Sequence, residues 1–315
     1  MTKLQLLQSN STPLSRLVDD YLASCRARGL SPRTIETSYG YSLLSVLLPW
    51  CQQEGVTRVE ELDTRTLDRL SSFLLTRMSD RGKPLSKHSV HSYLRPIRQL
   101  LTWAAREGEE VKGKPQLPKL PKQRRDVLSR DEINRLELAA PTERDRLIIR
   151  IFGDCGLRLG EVTRLRIQDI VRSARAASLD VDGKGRRQRR VPVPPALVRR
   201  LERHISSLPA DDPTGRLFLS LHRGPHGYYE PLTESGINNL IGVAAQRANI
   251  GRNVHPHLLR HSWMTEMLRS GMNPIQLSVI AGASPEVIGS CYEHLSEDDA
   301  QEALVRALLA SDQRR

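Results

Sequence analysis

A proline-rich, charged segment divides the chain and limits it to folds with two separately packed parts. The segment covers residues 108–125, GEEVKGKPQLPKLPKQRR, with three prolines and no apolar period. Proline lacks a backbone donor and disfavours helix in the residue before it, so we predict an extended linker here. With 315 residues, the chain is long enough for two domains that each bury a core. We therefore predict domains over residues 12–107 and 126–315.

The sequence before the linker has the apolar pattern of helices. Four stretches repeat apolar residues at intervals of three and four, and most begin with a polar cap and end at a glycine. They are LSRLVDDYLASCRARGL, SPRTIETSYGYSLLSVLLPWCQQEG, DTRTLDRLSSFLLTRMSDRG and SKHSVHSYLRPIRQLLTWAAREG. This pattern predicts a small domain of about four amphipathic helices.

The sequence after the linker predicts helices around a small sheet. SRDEINRLELAA opens with a capping signature, and RDRLIIRIFGDCGLRLGEVTRL indicates two helices that are interrupted at Cys155 and Gly156. Apolar and polar residues alternate on both sides of a Gly-Lys-Gly turn in AASLDVDGKGRRQRRVPVPPAL, as they do in a β-hairpin. Helical stretches return from residue 233 to residue 310. We predict a mostly helical second domain with a small sheet.

The charge of the chain favours a polyanionic partner. Lys and Arg number 48 against 36 Asp and Glu, which gives a formal net charge of +12. No run of about eighteen apolar residues and no apolar segment behind a basic N-terminus is found, so we predict a cytoplasmic protein without a membrane partner. Aromatic residues make up only 4% of the chain, too few for stacking platforms on single strands. Double-stranded DNA is the predicted partner.

The four cysteines predict neither a metal site nor a disulfide framework. They lie far apart, at Cys25, Cys51, Cys155 and Cys291, without the close pairs that structural zinc requires. We expect reduced thiols and no metal.

Two short motifs supply candidate anion-binding residues. HPHLLRHSW places His257 and Arg260 on one face at the start of a helix, where both can address the same anion. CGLRLGEV places Arg158 after a glycine, with Glu161 one turn later on the same side. Each pair alone fits equally simple alternatives, a solvated basic helix end or a surface ion pair, which are the commoner outcomes.

The turn of the predicted hairpin is strongly basic. Four arginines in GKGRRQRR are predicted to contact DNA phosphates without reading sequence: Arg186, Arg187, Arg189 and Arg190. Lys184 differs, because a lysine between two glycines can swing into a site and deliver a proton, which an arginine does not.

The segment IAGASPEVIGSCYEHL supports two interpretations. Its two short helical patterns around a Gly-Ala-Ser-Pro turn are typical of a helix-turn-helix, or of a scaffold that presents Tyr292. A single tyrosine is more often a core or interface residue. These residues alone leave both interpretations open.

The order of all these motifs resembles the tyrosine recombinase family, which includes phage integrases and the Xer chromosome-dimer recombinases. The set comprises Gly-Leu-Arg-x-Gly-Glu, Gly-Lys-Gly, His-x-x-Arg-His and a glycine turn followed by tyrosine, and LSPRTIETSYGYSLLSVL is similar to the family's usual opening. The resemblance covers nearly the whole chain. It implies a mainly α fold, with a helical N-terminal core-binding (SAM-like) domain and a mixed α/β catalytic domain that contains a small β-sheet.

The resemblance also implies a function. The chain would be a site-specific recombinase that cuts and rejoins DNA through a 3′-phosphotyrosyl intermediate, in integration, excision or resolution. Arg158 and Arg260 would clamp the scissile phosphate and Tyr292 would be the nucleophile. The other implied roles are general acid for Lys184, assistance of proton transfer for His257 and support of the site for Glu161. Neither a cofactor nor a metal is implied.

The implied partners are double-stranded DNA and further protomers. A homo-tetramer on DNA is expected, with a related recombinase or an accessory directionality factor as possible additions. SEDDAQEALVRALLA, after Tyr292, predicts an amphipathic helix. It would pack either on its own domain or on a neighbouring protomer.

One position departs from the family pattern. The turn before the nucleophile helix usually reads Leu-Gly-His, with His or sometimes Trp nine residues before the tyrosine, and here Ala283 stands there. Loss of one such donor costs about 10²–10³ in rate. We therefore expect a competent but slower or more tightly regulated enzyme.

Two other functions compete with recombination. A helix-turn-helix transcription regulator would leave Arg158, Lys184, His257 and Arg260 unexplained as a set. A type IB topoisomerase shares the nucleophile chemistry but acts without pairing specific sites, and the compact helical N-terminal domain disfavours it.

Overall fold

The chain forms two compact units, each with its own core. The computed structural model describes residues 12–79, 82–120, 126–173, 176–182, 188–209, 212–292, 301 and 305. The first unit is Met1–Lys122 and the second is Gln123–Arg315.

The first unit is built from helices. In chain order they are α1 (Leu14–Ala27), α2 (Pro32–Thr34), a π-helix (Ile35–Leu47), α3 (Leu48–Gln53), a 3₁₀ turn (Val59–Glu61), α4 (Thr64–Thr76) and α5 (Lys87–Arg106). The π-helix joins α2 to α3 without a break. Four long helical segments therefore lie where the apolar pattern predicts them; the wide turns of the π-helix were not predicted.

Polar caps and an apolar stripe explain these helices. Asp63 accepts a hydrogen bond from the backbone of Thr66 at 2.8 Å, and Ser86 accepts one from the backbone of Ser89 at 3.1 Å, which satisfies donors that a helix start leaves open. On α5 the buried apolar positions recur at three and four residues: Val90, Leu94, Ile97, Leu101 and Ala104. This stripe packs into the core of the unit.

Part of the predicted linker packs against the first unit. Residues 109–120 contain neither helix nor strand, but Val111 and Leu117 are partly buried against the apolar core. Gly113 approaches the backbone of Leu62 and Asp63 so closely that a Cβ would overlap it. These contacts attach residues 111–117 to the first unit; residues 121–125 lie outside the described part of the chain.

The second unit surrounds a small sheet with helices. Its helices are α6 (Arg130–Ala139), α7 (Glu143–Cys155), α8 (Leu159–Val162), α9 (Pro195–Ser206), α10 (Glu234–Arg247), α11 (Pro256–Arg269), α12 (Pro274–Ala281) and α13 (Pro285–Tyr292), with a 3₁₀ turn at Ile167–Asp169. Its strands are β1 (Ile170–Arg172), β2 (Ala177–Asp182), β3 (Gln188–Val193), β4 (Leu219–Arg223) and β5 (Tyr229–Pro231). The mainly helical class with a small sheet, predicted from the sequence, is confirmed.

The hairpin β2–β3 lies at the predicted place. It is antiparallel, with Val181 opposite Arg189 and Asp180 opposite Arg190, and β1 adds a third strand on the other edge of β2. The separate pair β4–β5 was not predicted. Buried residues alternate along β2, as expected for a strand with one face on a core.

A glycine in the left-handed conformation brings the end of α7 close to α11. Gly156 ends α7 with φ +60°, and a Cβ there would overlap the ring of Trp263 on α11. The carbonyl of Gly156 accepts a hydrogen bond from Arg260, one turn before Trp263. The chain thus crosses α11 closely just before it reaches Arg158.

In the described residues, no helix combines the length and the apolar character that crossing a membrane requires.

We predict that Gly156→Ala destabilises the second unit by about 3 kcal/mol or more, because alanine would carry both the left-handed strain and an overlap with Trp263. Gly215→Ala is the matched control: its φ is also +60°, but the added Cβ meets nothing within 4 Å. That control should cost about 1 kcal/mol, the strain alone. Urea unfolding followed by circular dichroism measures both; equal losses would contradict the packing explanation.

Candidate active site

A cavity of about 580 Å³ in the second unit collects several of the predicted site residues. It lies among the start of α8, the first turns of α11 and the turn between α12 and α13. Its polar lining comprises Asp126, Arg158, Asn253, His255, His257, Arg260, His261 and Ser284. Arg158, His257 and Arg260 therefore share one cavity, and Ala283 lies on its wall.

Arg158 is held by Glu161. The Arg158 residue precedes α8, where its backbone N–H donates to Glu161 Oε2 at 2.7 Å and its Nη1 donates to Oε1 at 2.9 Å. The Glu161 side chain is only 2% exposed, whereas that of Arg158 is 36% exposed. The carboxylate thus orients the arginine from behind and leaves part of the guanidinium accessible.

Arg189 is a second partner of Glu161, and its position differs from the predicted phosphate contact. Its Nη1 and Nη2 donate to Oε1 and Oε2 of Glu161, each at 2.8 Å, and its side chain is 9% exposed. Its Nε donates to the carbonyl of Ile280 at 2.7 Å. The guanidinium of Arg189 is thus already paired inside the unit, where the sequence predicts a phosphate contact.

Arg190, its neighbour, points the other way. Successive side chains of a strand alternate between faces, and the Arg190 side chain is 67% exposed beside Asp180, at 2.8 Å. The exposure of Arg190 is compatible with the predicted phosphate contact, which stays a prediction. Lys184, Arg186 and Arg187 lie outside the described residues.

The two arginines lower the pKa of Glu161. Burial by itself raises that pKa, but hydrogen bonds from Arg189 and from Arg158 outweigh it and lower the pKa to about 2. The carboxylate is therefore ionised at neutral pH and holds two cations together.

Arg260 is the most buried cation of the cavity, at 5% exposure. Burial, and secondly the nearby charge of Arg158, lower the pKa of Arg260 to about 10. The guanidinium still carries its charge at neutral pH. Besides the carbonyl of Gly156, it donates to the carbonyl of Ala281 at 2.7 Å.

Three consecutive carbonyls at the end of α12 each accept from a different arginine. The acceptors are Ile280 for Arg189, Ala281 for Arg260 and Gly282 for Arg158. The last carbonyls of a helix lack partners within the helix and carry the negative end of its dipole. The turn that leads into α13 is therefore a fixed anchor for the arginine cluster.

The two histidines at the start of α11 occupy different places. His255 is the N-cap: its Nδ1 accepts a hydrogen bond from the backbone N–H of Leu258 at 3.2 Å. His257 lies in the first turn, is exposed and lines the cavity. The sequence prediction selected His257 and missed His255, although a polar residue before a proline at the helix start is a capping signal.

Tyr292 ends α13 and is 43% exposed. It is the last residue that the structure describes in this helix, and it is not among the residues that line the cavity. The preceding Cys291 is fully buried, with its Sγ 3.4 Å from Nδ1 of His261. That contact ties the end of α13 to α11, next to Arg260. The helix predicted after Tyr292 falls almost entirely outside the described residues.

Among the described residues, no group of three His, Cys, Asp or Glu side chains lies close enough to hold a metal ion.

Comparison with known proteins identifies relatives across most of the chain. The profile described as "Phage integrase family" matches residues 126–298. Tyrosine recombinase XerD of Staphylococcus haemolyticus is 29% identical over 297 residues, which cover 90% of this chain and 95% of that protein. Tyrosine recombinase XerC of Oceanobacillus iheyensis is 26% identical over 295 residues, which cover 89% of this chain and 91% of that protein.

Solved structures share the fold. The XerH site-specific recombinase bound to palindromic difH substrate, a post-cleavage complex, gives a TM-score of 0.68 at 18% identity and covers 92% of this chain and 84% of that one. A lambda integrase tetramer bound to a Holliday junction gives 0.67 at 17% identity, with coverages of 89% and 77%.

We predict that the ion pairs of Glu161 make stability depend on acid pH. Because the pKa of Glu161 in the folded protein is lowered from 4.5 to about 2, its contribution is fully present above pH 4.5 and is lost as the pH falls toward 2. Glu161→Gln should therefore lower the free energy of unfolding by about 3 kcal/mol at pH 7 and by progressively less below pH 4.5.

The control is Glu202→Gln, which removes a surface ion pair with Arg172. We expect it to change the free energy of unfolding by less than about 1 kcal/mol. Denaturant titrations from pH 7 to pH 3 measure both. A wild-type advantage over Glu161→Gln that does not shrink in acid would contradict the prediction.

Proposed function

The chain belongs to the phage integrase family and is a tyrosine recombinase, and on this premise we propose how it cuts and rejoins DNA. Tyr292 attacks a phosphodiester that Arg158 and Arg260 hold in the cavity. The observation that supports this assignment most strongly is that both arginines line one cavity, with Glu161 and Arg189 packed behind them.

The cluster suits an anion. Three arginines and one carboxylate, Arg158, Arg189, Arg260 and Glu161, give this cluster a net charge of +2 (3 − 1). Asp126, which also lines the cavity, lowers the sum there to +1 (3 − 2). A guanidinium has five N–H donors, so Arg158 and Arg260 keep donors for a phosphate while they contact the α12 turn. Charge-assisted hydrogen bonds of this kind strengthen as negative charge grows on the phosphate oxygens in the transition state.

Tyr292 is the proposed nucleophile. The reference pKa of tyrosine is about 10, so attack near neutral pH needs cations or a base that favour the phenolate. In the proposed step, the phenolate oxygen of Tyr292 forms a bond to phosphorus while the bond to the 5′ oxygen breaks. That oxygen then takes a proton, for which Lys184 is the candidate donor and His257 an assistant.

The product is a 3′-phosphotyrosyl linkage and a free 5′ hydroxyl. One phosphodiester is exchanged for another, so a second 5′ hydroxyl can reverse the step and rejoin the strands. The reaction thus consumes no nucleotide cofactor.

We also propose that the enzyme acts as a homo-tetramer on double-stranded DNA. The support is the shared fold with the lambda integrase tetramer on a Holliday junction. A partner recombinase or accessory directionality factor, and a cytoplasmic location, stay predictions from the sequence.

The test is covalent capture. Wild-type protein and Tyr292→Phe are incubated with duplexes cut from the DNA that flanks the gene, and adducts are separated on a denaturing gel. We expect an adduct with wild type alone, because phenylalanine lacks the attacking oxygen, and mass spectrometry should place the nucleotide on Tyr292.

Two further outcomes separate the alternatives. DNA binding without an adduct in either protein would support the transcription regulator. An adduct without strand exchange between two linear duplexes, but with relaxation of supercoiled plasmid, would support the topoisomerase.

Arg189 and Arg190 provide a matched pair of predictions. Arg189→Ala should slow adduct formation at saturating DNA by about 10²-fold, because it releases Glu161 and the α12 turn and misplaces Arg158. Arg190→Ala should instead weaken noncovalent binding and reduce its salt dependence by about one phosphate contact. Single-turnover rates and salt titrations of affinity measure both, and identical behaviour of the two variants would contradict the distinction.

A further inference from the structure

His255 is a hydrogen-bond donor that no role assigned above uses. It lines the same cavity as Arg158 and Arg260, and its imidazole is held in place by the N-cap contact with Leu258. Ala283, in the α12–α13 turn, also lines the cavity and contributes only a methyl group. The imidazole of His255 is therefore fixed in the same cavity as the two arginines that are proposed to hold the phosphate.

The cap determines which nitrogen of His255 carries the proton. Nδ1 accepts from the backbone N–H of Leu258, so the neutral ring carries its hydrogen on Nε2. Burial lowers the pKa of His255, which keeps the neutral ring dominant near pH 7. No other partner of His255 is found among the described residues, so the Nε2–H group remains available for a ligand.

Two other uncharged donors of the cavity, Ser284 and Asn253, are less suited. The hydroxyl of Ser284 lies beside the carboxylate of Glu286 and helps to lower the pKa of that carboxyl. Asn253 lies in a stretch without helix or strand, and no hydrogen bond orders its side chain in the described structure. A donor that must first be ordered loses part of its binding free energy to conformational entropy, whereas a preorganised donor does not.

We propose that His255 is a catalytic residue: its Nε2–H donates a hydrogen bond to a non-bridging oxygen of the scissile phosphate and supplies the donor that Ala283 lacks. This inference rests on the proposed function. No proton is transferred in this role; the hydrogen bond shortens as charge accumulates on the phosphate oxygen.

The test measures the single-turnover rate of covalent adduct formation at saturating DNA. His255→Ser keeps a hydroxyl that can cap α11 but is too short to reach the phosphate. We expect this variant to react about 10²-fold more slowly than wild type, with DNA affinity changed less than about threefold and an unchanged thermal unfolding midpoint. His222→Ser, the same substitution at an exposed histidine of β4, should react at the wild-type rate.

A second donor at residue 283 makes the assignment specific. In the Ala283→His background the new imidazole replaces the function of His255, so His255→Ser should then cost less than about fivefold. Equal losses in both backgrounds would show that the two positions do not share a role, and would overturn the proposal.

Two more results would also overturn the proposal. One is a wild-type rate in His255→Ser. The other is a 10²-fold loss in Asn253→Ala, which would give the donor role to that amide.

Failure of the proposed function is distinguishable from failure of this inference. If wild-type protein forms no adduct, or if Tyr292→Phe forms one, the proposed chemistry is wrong and the role of His255 falls with it. If wild type reacts through Tyr292 and His255→Ser reacts equally fast, only the role of His255 is wrong.

Discussion

The buried carboxylate of Glu161 is the contact on which the rest of the site depends. It pairs with the guanidinium of Arg158 through one oxygen and with that of Arg189 through both. Like charges this close repel one another strongly in a medium of low dielectric, so without the carboxylate the arginines would separate or draw water into the site. The depressed pKa of Glu161 shows how strongly the cluster favours the ionised form. Removal of the carboxylate would leave the buried guanidinium groups uncompensated, which destabilises the fold as well as the site.

The end of helix α12 holds the same arginines in place from a second side of their guanidinium groups. Three arginines from three distant parts of the chain donate to the carbonyls of residues 280, 281 and 282. The same turn continues directly into α13, which carries Tyr292. The cations proposed to hold the phosphate and the helix proposed to deliver the nucleophile are thus attached to one structural element. Under the proposed mechanism, a DNA phosphate in the cavity would meet guanidinium groups already in position, which is the physical basis of electrostatic preorganisation.

Neighbouring basic residues show why some of the site was predictable and some was not. Arg189 and Arg190 look alike in the sequence, and both were predicted as phosphate contacts. Strand alternation places them on opposite faces, but which one faces the site depends on the register between β2 and β3 and on the contact with α12. His255 was missed for a related reason. Its proposed role depends on a cavity that forms only when α11 and the α12–α13 turn pack together.

The sequence by itself determined the local structure and the family. Apolar periods, caps and turn residues act within a few positions, so they predicted the helices of the first unit, the β2–β3 hairpin and the break at Gly156. The ordered motifs pointed to a tyrosine recombinase. Only the tertiary structure decided which distant side chains meet: Arg189 reaches Glu161, and Arg158, Arg189 and Arg260 reach the carbonyls of residues 280–282. Long-range packing creates these contacts, and no local pattern in the chain records them.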